Sequence, residues 1–160
     1  MGTEKLKFKI ELYATMWDKP PHAEIMIDDK YYFAGDITGT NEKPDTIVFE
    51  RELEENKEYD FRIIRSGKNK NQTIVNDKGD ILKDQLLHIK SIEIDEIDIG
   101  GLVYEGIYTP EYPEPWATQQ RDAGKDLQKS FKNVTQMGHD GEWRLKFSSP
   151  FYMWLLENLY

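Results

Sequence analysis

The sequence predicts an all-β protein: an antiparallel β-sandwich of jelly-roll type with a short C-terminal helix. Two observations carry that prediction. In Ile92-Glu93-Ile94-Asp95-Glu96-Ile97-Asp98-Ile99, isoleucine alternates with acid, and the phase inverts across Asp95-Glu96. A period of two puts one face of a strand in a core and the other in water. The inversion is what a two-residue hairpin turn produces when the chain doubles back antiparallel. Ile25-Met26-Ile27-Asp28-Asp29-Lys30-Tyr31 reads in much the same way. The second observation is that such short runs recur along the chain, separated by Gly, Pro and Asn, as they do in sandwiches and jelly rolls.

The elements follow in order. Leu6, Phe8, Ile10 and Leu12 alternate with Lys5, Lys7, Lys9 and Glu11, which makes a half-buried strand. Met16 to Pro21 is a loop, because Pro20-Pro21 cannot donate to a sheet ladder. Ala23 to Ile27 and Lys30 to Phe33 form a hairpin, Gly35 to Pro44 a loop, and Thr46 to Phe49 a short strand. Tyr59, Phe61 and Ile63 alternate with Asp60 and Arg62 in another strand, and Ser66 to Gln72 is a polar turn. Asn76-Asp77-Lys78-Gly79 joins Ile74-Val75 to Ile81-Leu82 as a hairpin, with the glycine supplying a positive φ. Leu87 and Ile89 lead into the isoleucine-acid run, and the slip in phase at Lys90-Ser91 predicts a β-bulge. Trp143, Leu145 and Phe147 alternate with Arg144 and Lys146 as a last long strand. The period then changes over residues 150–159. Ser149 can cap, Pro150 suits a first helical turn, and Phe151, Trp154, Leu155, Asn158 and Leu159 recur at helical spacing.

A length of 160 residues suits one domain spanning 1–160 with one sizeable core. The aromatic share of 12% argues against disorder. A net charge of −9 repels a nucleic-acid backbone or an anionic membrane surface, so neither is an expected partner. The chain has no cysteine, which excludes disulfides, thiolate metal sites and a cysteine nucleophile, and fits assembly in a reducing cytoplasm. Residues Met1 to Lys5 run straight into a strand with no apolar signal-peptide region, and no apolar run is long enough to span a membrane. The expectation is a soluble protein.

The segment Tyr104-Glu105-Gly106-Ile107-Tyr108-Thr109-Pro110-Glu111-Tyr112-Pro113-Glu114-Pro115-Trp116 is the best functional candidate, with three prolines holding it extended. Aromatic rings offer flat apolar faces to sugar C–H groups, and neighbouring carboxylates accept hydroxyl hydrogen bonds. The same rings could instead pack on the domain's own sheet or against a neighbouring subunit, which is the more ordinary use of such residues. Trp17, beside Asp18 and Pro20-Pro21, is either a plug at the sandwich edge or a second platform. Asp77, Asp80 and Asp84 cluster in one hairpin, and Glu93, Asp95 and Asp98 in the next. Loop carboxylates with backbone carbonyls can hold calcium, although neither run has helix-loop-helix spacing and strand acids usually face water. His22, His88 and His139 are scattered, and neither a Gly-x-Ser-x-Gly elbow nor a His-Glu-x-x-His motif occurs. No enzymatic activity is expected.

The strand alternation, the Ile94-Asp95-Glu96-Ile97 hairpin, and Gly141 to Phe147 followed by Pro150 to Glu157 resemble jelly-roll accessory proteins of tailed, especially marine, phages. Those in turn are similar to calcium-dependent, xylan-binding carbohydrate-binding modules. The resemblance implies a non-enzymatic structural protein of a phage virion, attached to capsid, neck, tail or fibre and assembled in the host cytoplasm. Its partners would be other virion proteins or identical subunits, with Tyr108, Tyr112, Trp116 and Trp154 as interface anchors, since aromatics dominate interface cores. The alternative it implies is a carbohydrate-binding module for a polysaccharide, with Trp17, Tyr112 and Trp116 as platforms. Calcium would then be its cofactor, near Asp80 and Asp84.

Overall fold

The computed structural model describes residues 2–68, 73–78 and 80–159. Two antiparallel sheets face each other. The first holds β1 (Thr3–Thr15), β4 (Asp45–Glu54), β8 (Leu86–Ile94), β9 (Ile97–Asp98) and β12 (Gln136–Met137), in the order β12-β8-β1-β4 with β9 also on β8. The second contains β2 (His22–Ile27), β3 (Lys30–Asp36), β5 (Glu58–Ser66), β10 (Ile107–Pro110), β11 (Phe131–Lys132) and β13 (Gly141–Ser148). Its order is β11-β10-β13-β5-β2-β3. A separate two-stranded hairpin pairs β6 (Thr73–Val75) with β7 (Ile81–Asp84). The predicted antiparallel β-sandwich with a C-terminal helix is the observed fold.

The alternation read from the sequence is what closes the two layers. Leu6, Phe8, Ile10 and Leu12 of β1 are all buried, as are Tyr59, Phe61 and Ile63 of β5 and Trp143, Leu145 and Phe147 of β13. Phe8 stacks on Phe61 across the layers at 6.1 Å between ring centroids, and Trp143 meets Phe61 edge-on at 6.2 Å. Burying each such ring contributes about 1.5–3 kcal/mol, so these few positions dominate the core. Both two-residue turns are present. Asp28 has φ 53°, and Asp95 and Glu96 have φ 51° and 67°, the left-handed pair that a hairpin matched to strand twist requires. The bulge falls where the phase slipped: Glu11 lies opposite Ser91 and Leu12 opposite Ile89, which leaves Lys90 unpaired.

Several boundaries differ from the expectation. β4 continues past Phe49 to Glu54, with Leu53 buried and Glu50 paired to Lys5 at 3.0 Å on the outer face. Helix α2 spans Phe151–Leu159, but Ser149 does not cap it. The Glu4 carboxylate of β1 accepts both the Ser149 hydroxyl and, at 2.7 Å, the Phe151 amide. A long-range acid thus replaces a local hydroxyl. Residues 69–72 of the expected polar turn and Gly79 of the expected hairpin lie outside the described residues.

The segment from Gly100 onward departs most. A 3-10 turn covers Gly100–Glu105, and the aromatic-proline run becomes strand β10 followed by helix α1 (Trp116–Asp122), so it is not extended throughout. Gly106 joins the turn to the strand directly over the indole of Trp143, where any Cβ would interpenetrate the ring.

Candidate functional site

Strand β10 is held between β11 and β13, and its end delivers the chain to the sandwich rim. There the Glu111 amide donates to the Asp140 carbonyl at 2.6 Å. Glu114 then starts α1 by accepting both the Thr118 amide, at 2.8 Å, and the Thr118 hydroxyl. These two bonds hold its carboxyl below the usual carboxylate range. The helix ends at Asp122, Gly124 (φ 81°) follows its C-cap, and residues 123–130 run back toward β11.

Between these pieces lies an open cleft of about 700 Å³, lined by Thr109, Pro110, Tyr112, Glu114, Ala117, Arg121, Leu127 and Lys129. Tyr112 is its aromatic wall. The Tyr112 hydroxyl donates to the Gln128 carbonyl, and its ring sits 6.0 Å from Trp116 and 5.2 Å from His139, edge-on to the latter. Trp116 in turn lies 5.5 Å from His139 and stands at the helix start, 37% exposed, behind Tyr112 and outside the cleft lining. The three rings fix one another, so the Tyr112 wall is preorganised. Burial, with Lys68 nearby, holds His139 below the ordinary histidine range, so it is a neutral ring at neutral pH.

Beneath the rings is a buried polar cluster. Arg65 of β5 is 1% exposed and donates to the Met137 carbonyl of β12, and to the carbonyl and side-chain oxygen of Gln85 at 2.8 and 2.5 Å. Asp140 accepts the Lys68 amide at 3.0 Å, and burial raises its carboxyl above the normal range. Tyr108 closes the cluster: its hydroxyl donates to the His139 carbonyl at 2.6 Å and accepts the His139 amide at 2.9 Å. His139 and Asp140 thereby link the cluster to the cleft.

The candidate residues separate clearly. Tyr112 and Trp116 come together at the rim. Tyr108 and Trp154 are only 4% and 8% exposed, and their rings are committed to the chain's own core, Trp154 packing on Phe151 and Phe147. As expected surface anchors these two are corrected, because neither presents a face to another subunit. Trp17 sits apart from Tyr112 in the contacts it makes, with the Lys83 ammonium 3.8 Å above its ring. His88 is half-buried between the inward-facing Leu87 and Ile89: it stacks on Tyr13 at 4.3 Å and bonds the Thr15 hydroxyl at 2.9 Å.

Asp80 and Asp84 do not fit calcium as arranged. One Asp84 oxygen takes the Lys68 ammonium at 2.6 Å, the Thr73 hydroxyl at 2.6 Å and the Gln85 amide at 2.8 Å. Lys68 also donates to the Gly138 carbonyl, so a protein cation already occupies that oxygen set. Asp80 is exposed and bonds Asn76 at 3.3 Å. Among the described residues, no three His, Asp or Glu side chains gather as a metal site. The acids of the next hairpin serve the fold: Asp95 accepts the Lys7 amide and Asp98 the Gly100 amide.

Arg121 and Lys129 escaped the sequence reading, whereas Glu114 stood within the candidate segment and His139 was read only as one of three scattered histidines. A signal for α1 was present, since Pro113 and Pro115 precede the helix formers Ala117, Gln119, Gln120 and Arg121.

No protein-family model and no curated protein matches this chain. Two solved structures, both of vCBM60, superpose over most of it. One is vCBM60 in complex with galactobiose, 6% identical, covering 86% of this chain and 95% of its own with a TM-score of 0.48. The other is the selenomethionine form, described with a circular permutation that links two families of calcium-dependent carbohydrate-binding modules. It is 5% identical and covers 87% of this chain and 88% of its own, with a TM-score of 0.49.

Proposed function

We propose that this chain is a non-catalytic carbohydrate-binding domain that holds a polysaccharide against Tyr112 in the rim cleft. The observation that supports it is the cleft itself: an aromatic face fixed by two neighbouring rings, with charged side chains around an open volume of about 700 Å³. A pyranose ring lays its C–H face on such a wall, and its hydroxyls reach the polar rim. Tyr112→Ala is expected to weaken binding of the recognised polysaccharide about tenfold or more, the size of a central aromatic contact. It should leave the unfolding midpoint close to that of the parent, because Tyr112 lies outside the core. Affinity electrophoresis against plant, algal and bacterial polysaccharides, with a thermal melt of each variant, reads both quantities. Unchanged migration of parent and variant across the panel would overturn the reading.

A second reading, a subunit of a larger assembly such as a phage particle, is favoured by a different observation. The β6–β7 hairpin exposes Val75, Ile81 and Leu82 at 53, 62 and 60%, an apolar surface of the kind that interfaces cover. Under this reading the purified protein is expected to self-associate without any glycan, and Ile81→Lys with Leu82→Ser to return it to monomer. The mass in solution by light scattering checks this. A monomeric parent at high concentration would remove self-assembly.

A further inference from the structure

Resting on the carbohydrate reading, we infer that the cleft takes an acidic polysaccharide, one whose uronate carboxylates are met by Arg121 and Lys129. Three features of the lining carry this. The cleft holds two cations and one carboxylate, in a chain whose net charge is −9. Both oxygens of that carboxylate, on Glu114, are turned to Thr118. Among the described residues no ion pair involves Arg121 or Lys129, so both charged heads are open to a ligand in the cleft. Two cations outside any ion pair therefore share a concave aromatic site whose one lining carboxylate is already engaged by Thr118.

The placement suits a uronate. Arg121 acts on Tyr112 and Glu114 electrostatically, so its charge is felt at the aromatic wall where the sugar ring would lie. A planar guanidinium meets a carboxylate with two parallel hydrogen bonds, which a neutral hydroxymethyl group cannot accept in the same way. The acidic remainder of the surface is no barrier at physiological ionic strength, since charges farther than about 8 Å from the ligand are screened. The lining itself carries Arg121 and Lys129 against the single carboxylate of Glu114.

The experiment compares polygalacturonate, alginate and hyaluronate with methyl-esterified polygalacturonate and a neutral galactan, using calorimetry on the full chain at low and high salt. Dextran sulfate serves as a polyanion without uronate. At least one uronan should bind about tenfold tighter than its esterified or neutral counterpart and weaken with salt. Arg121→Gln and Lys129→Gln should each lower uronan affinity several-fold more than they lower affinity for the ester, and Tyr112→Ala should lower both alike. Equal affinity for acid and ester would overturn the charge assignment and leave a neutral-sugar cleft. Binding of dextran sulfate as tight as any uronan, and indifferent to Tyr112→Ala, would overturn it as simple ion exchange. No binding by any polysaccharide would overturn the carbohydrate reading itself.

Discussion

Arg65→Met is expected to cost about 3–5 kcal/mol of stability, the penalty for removing one partner of a buried charge cluster. Arg65 is 1% exposed and joins the two layers: it stands on β5 of one sheet and donates to the Met137 carbonyl of β12 in the other. It also fixes Gln85, whose side-chain amide donates to the Lys19 carbonyl at 2.6 Å. Methionine fills a similar volume but donates nothing. It would strand the Met137 and Gln85 oxygens, each orphan costing about 1–3 kcal/mol. It would also leave Asp140 without the guanidinium 3.9 Å away. Arg65→Lys should fall between, because it keeps the charge and loses the fork that serves three acceptor oxygens on two residues. Urea titration distinguishes the outcomes: the midpoint should drop for both variants at constant slope, as for a pure stability change. A loss below about 1 kcal/mol for methionine would mean that water replaces the lost donors at little cost.

Apart from β4, ten residues long but read only to Phe49 because the charged Glu50-Arg51-Glu52 follows, the legibility of this chain tracks element length. β1, β5, β8 and β13 each run eight residues or more, long enough for period-two alternation to show which side faces the core. The Asp28 and Asp95-Glu96 turns and the Lys90 bulge are local events that leave a local trace, an inversion or slip of phase. The cleft is built from the opposite kind of material. β10, β11 and β12 have four, two and two residues, too few for a period to emerge, and the wall and rim come from a seven-residue helix and an irregular return. Tyr112 and Trp116 were visible as aromatics near prolines. Their meeting with His139, some two dozen residues later, is a consequence of β10 pairing with β13, which no local pattern encodes. Glu4 capping α2 from the far end of the chain and Lys68 filling the Asp84 oxygen set are the same phenomenon. Each replaces a plausible local partner by a distant one that only the packed layers bring near.

Between pH 10 and 12 the protein is expected to lose stability through Tyr108, by about 2–3 kcal/mol from a shift of two units at 1.36 kcal/mol each. Burial pushes the Tyr108 phenol up to about 12, partly opposed by the His139 amide and the Arg65 charge. The folded state therefore keeps its proton where the unfolded chain, near 10, has lost it. Stability gained from this group is complete below pH 10 and disappears as pH rises through the folded value. Lys68 acts with the opposite sign, because burial lowers its ammonium below 10.5. The folded state releases that proton first, so stability rises with pH up to about 10.5 through this group alone. A single alkaline titration would mix the two, whereas Tyr108→Phe separates them. The variant loses the hydroxyl that serves both the His139 carbonyl and amide, and at pH 7 it should be less stable by about 1–2 kcal/mol. Lys68 titrates alike in both proteins, so the stability difference should stay constant to pH 9 and then shrink or reverse by pH 12. Denaturant melts at each pH measure that difference. If it keeps one value across the whole range, the phenol is not held protonated by burial, and the polar cluster beneath the cleft is open to water.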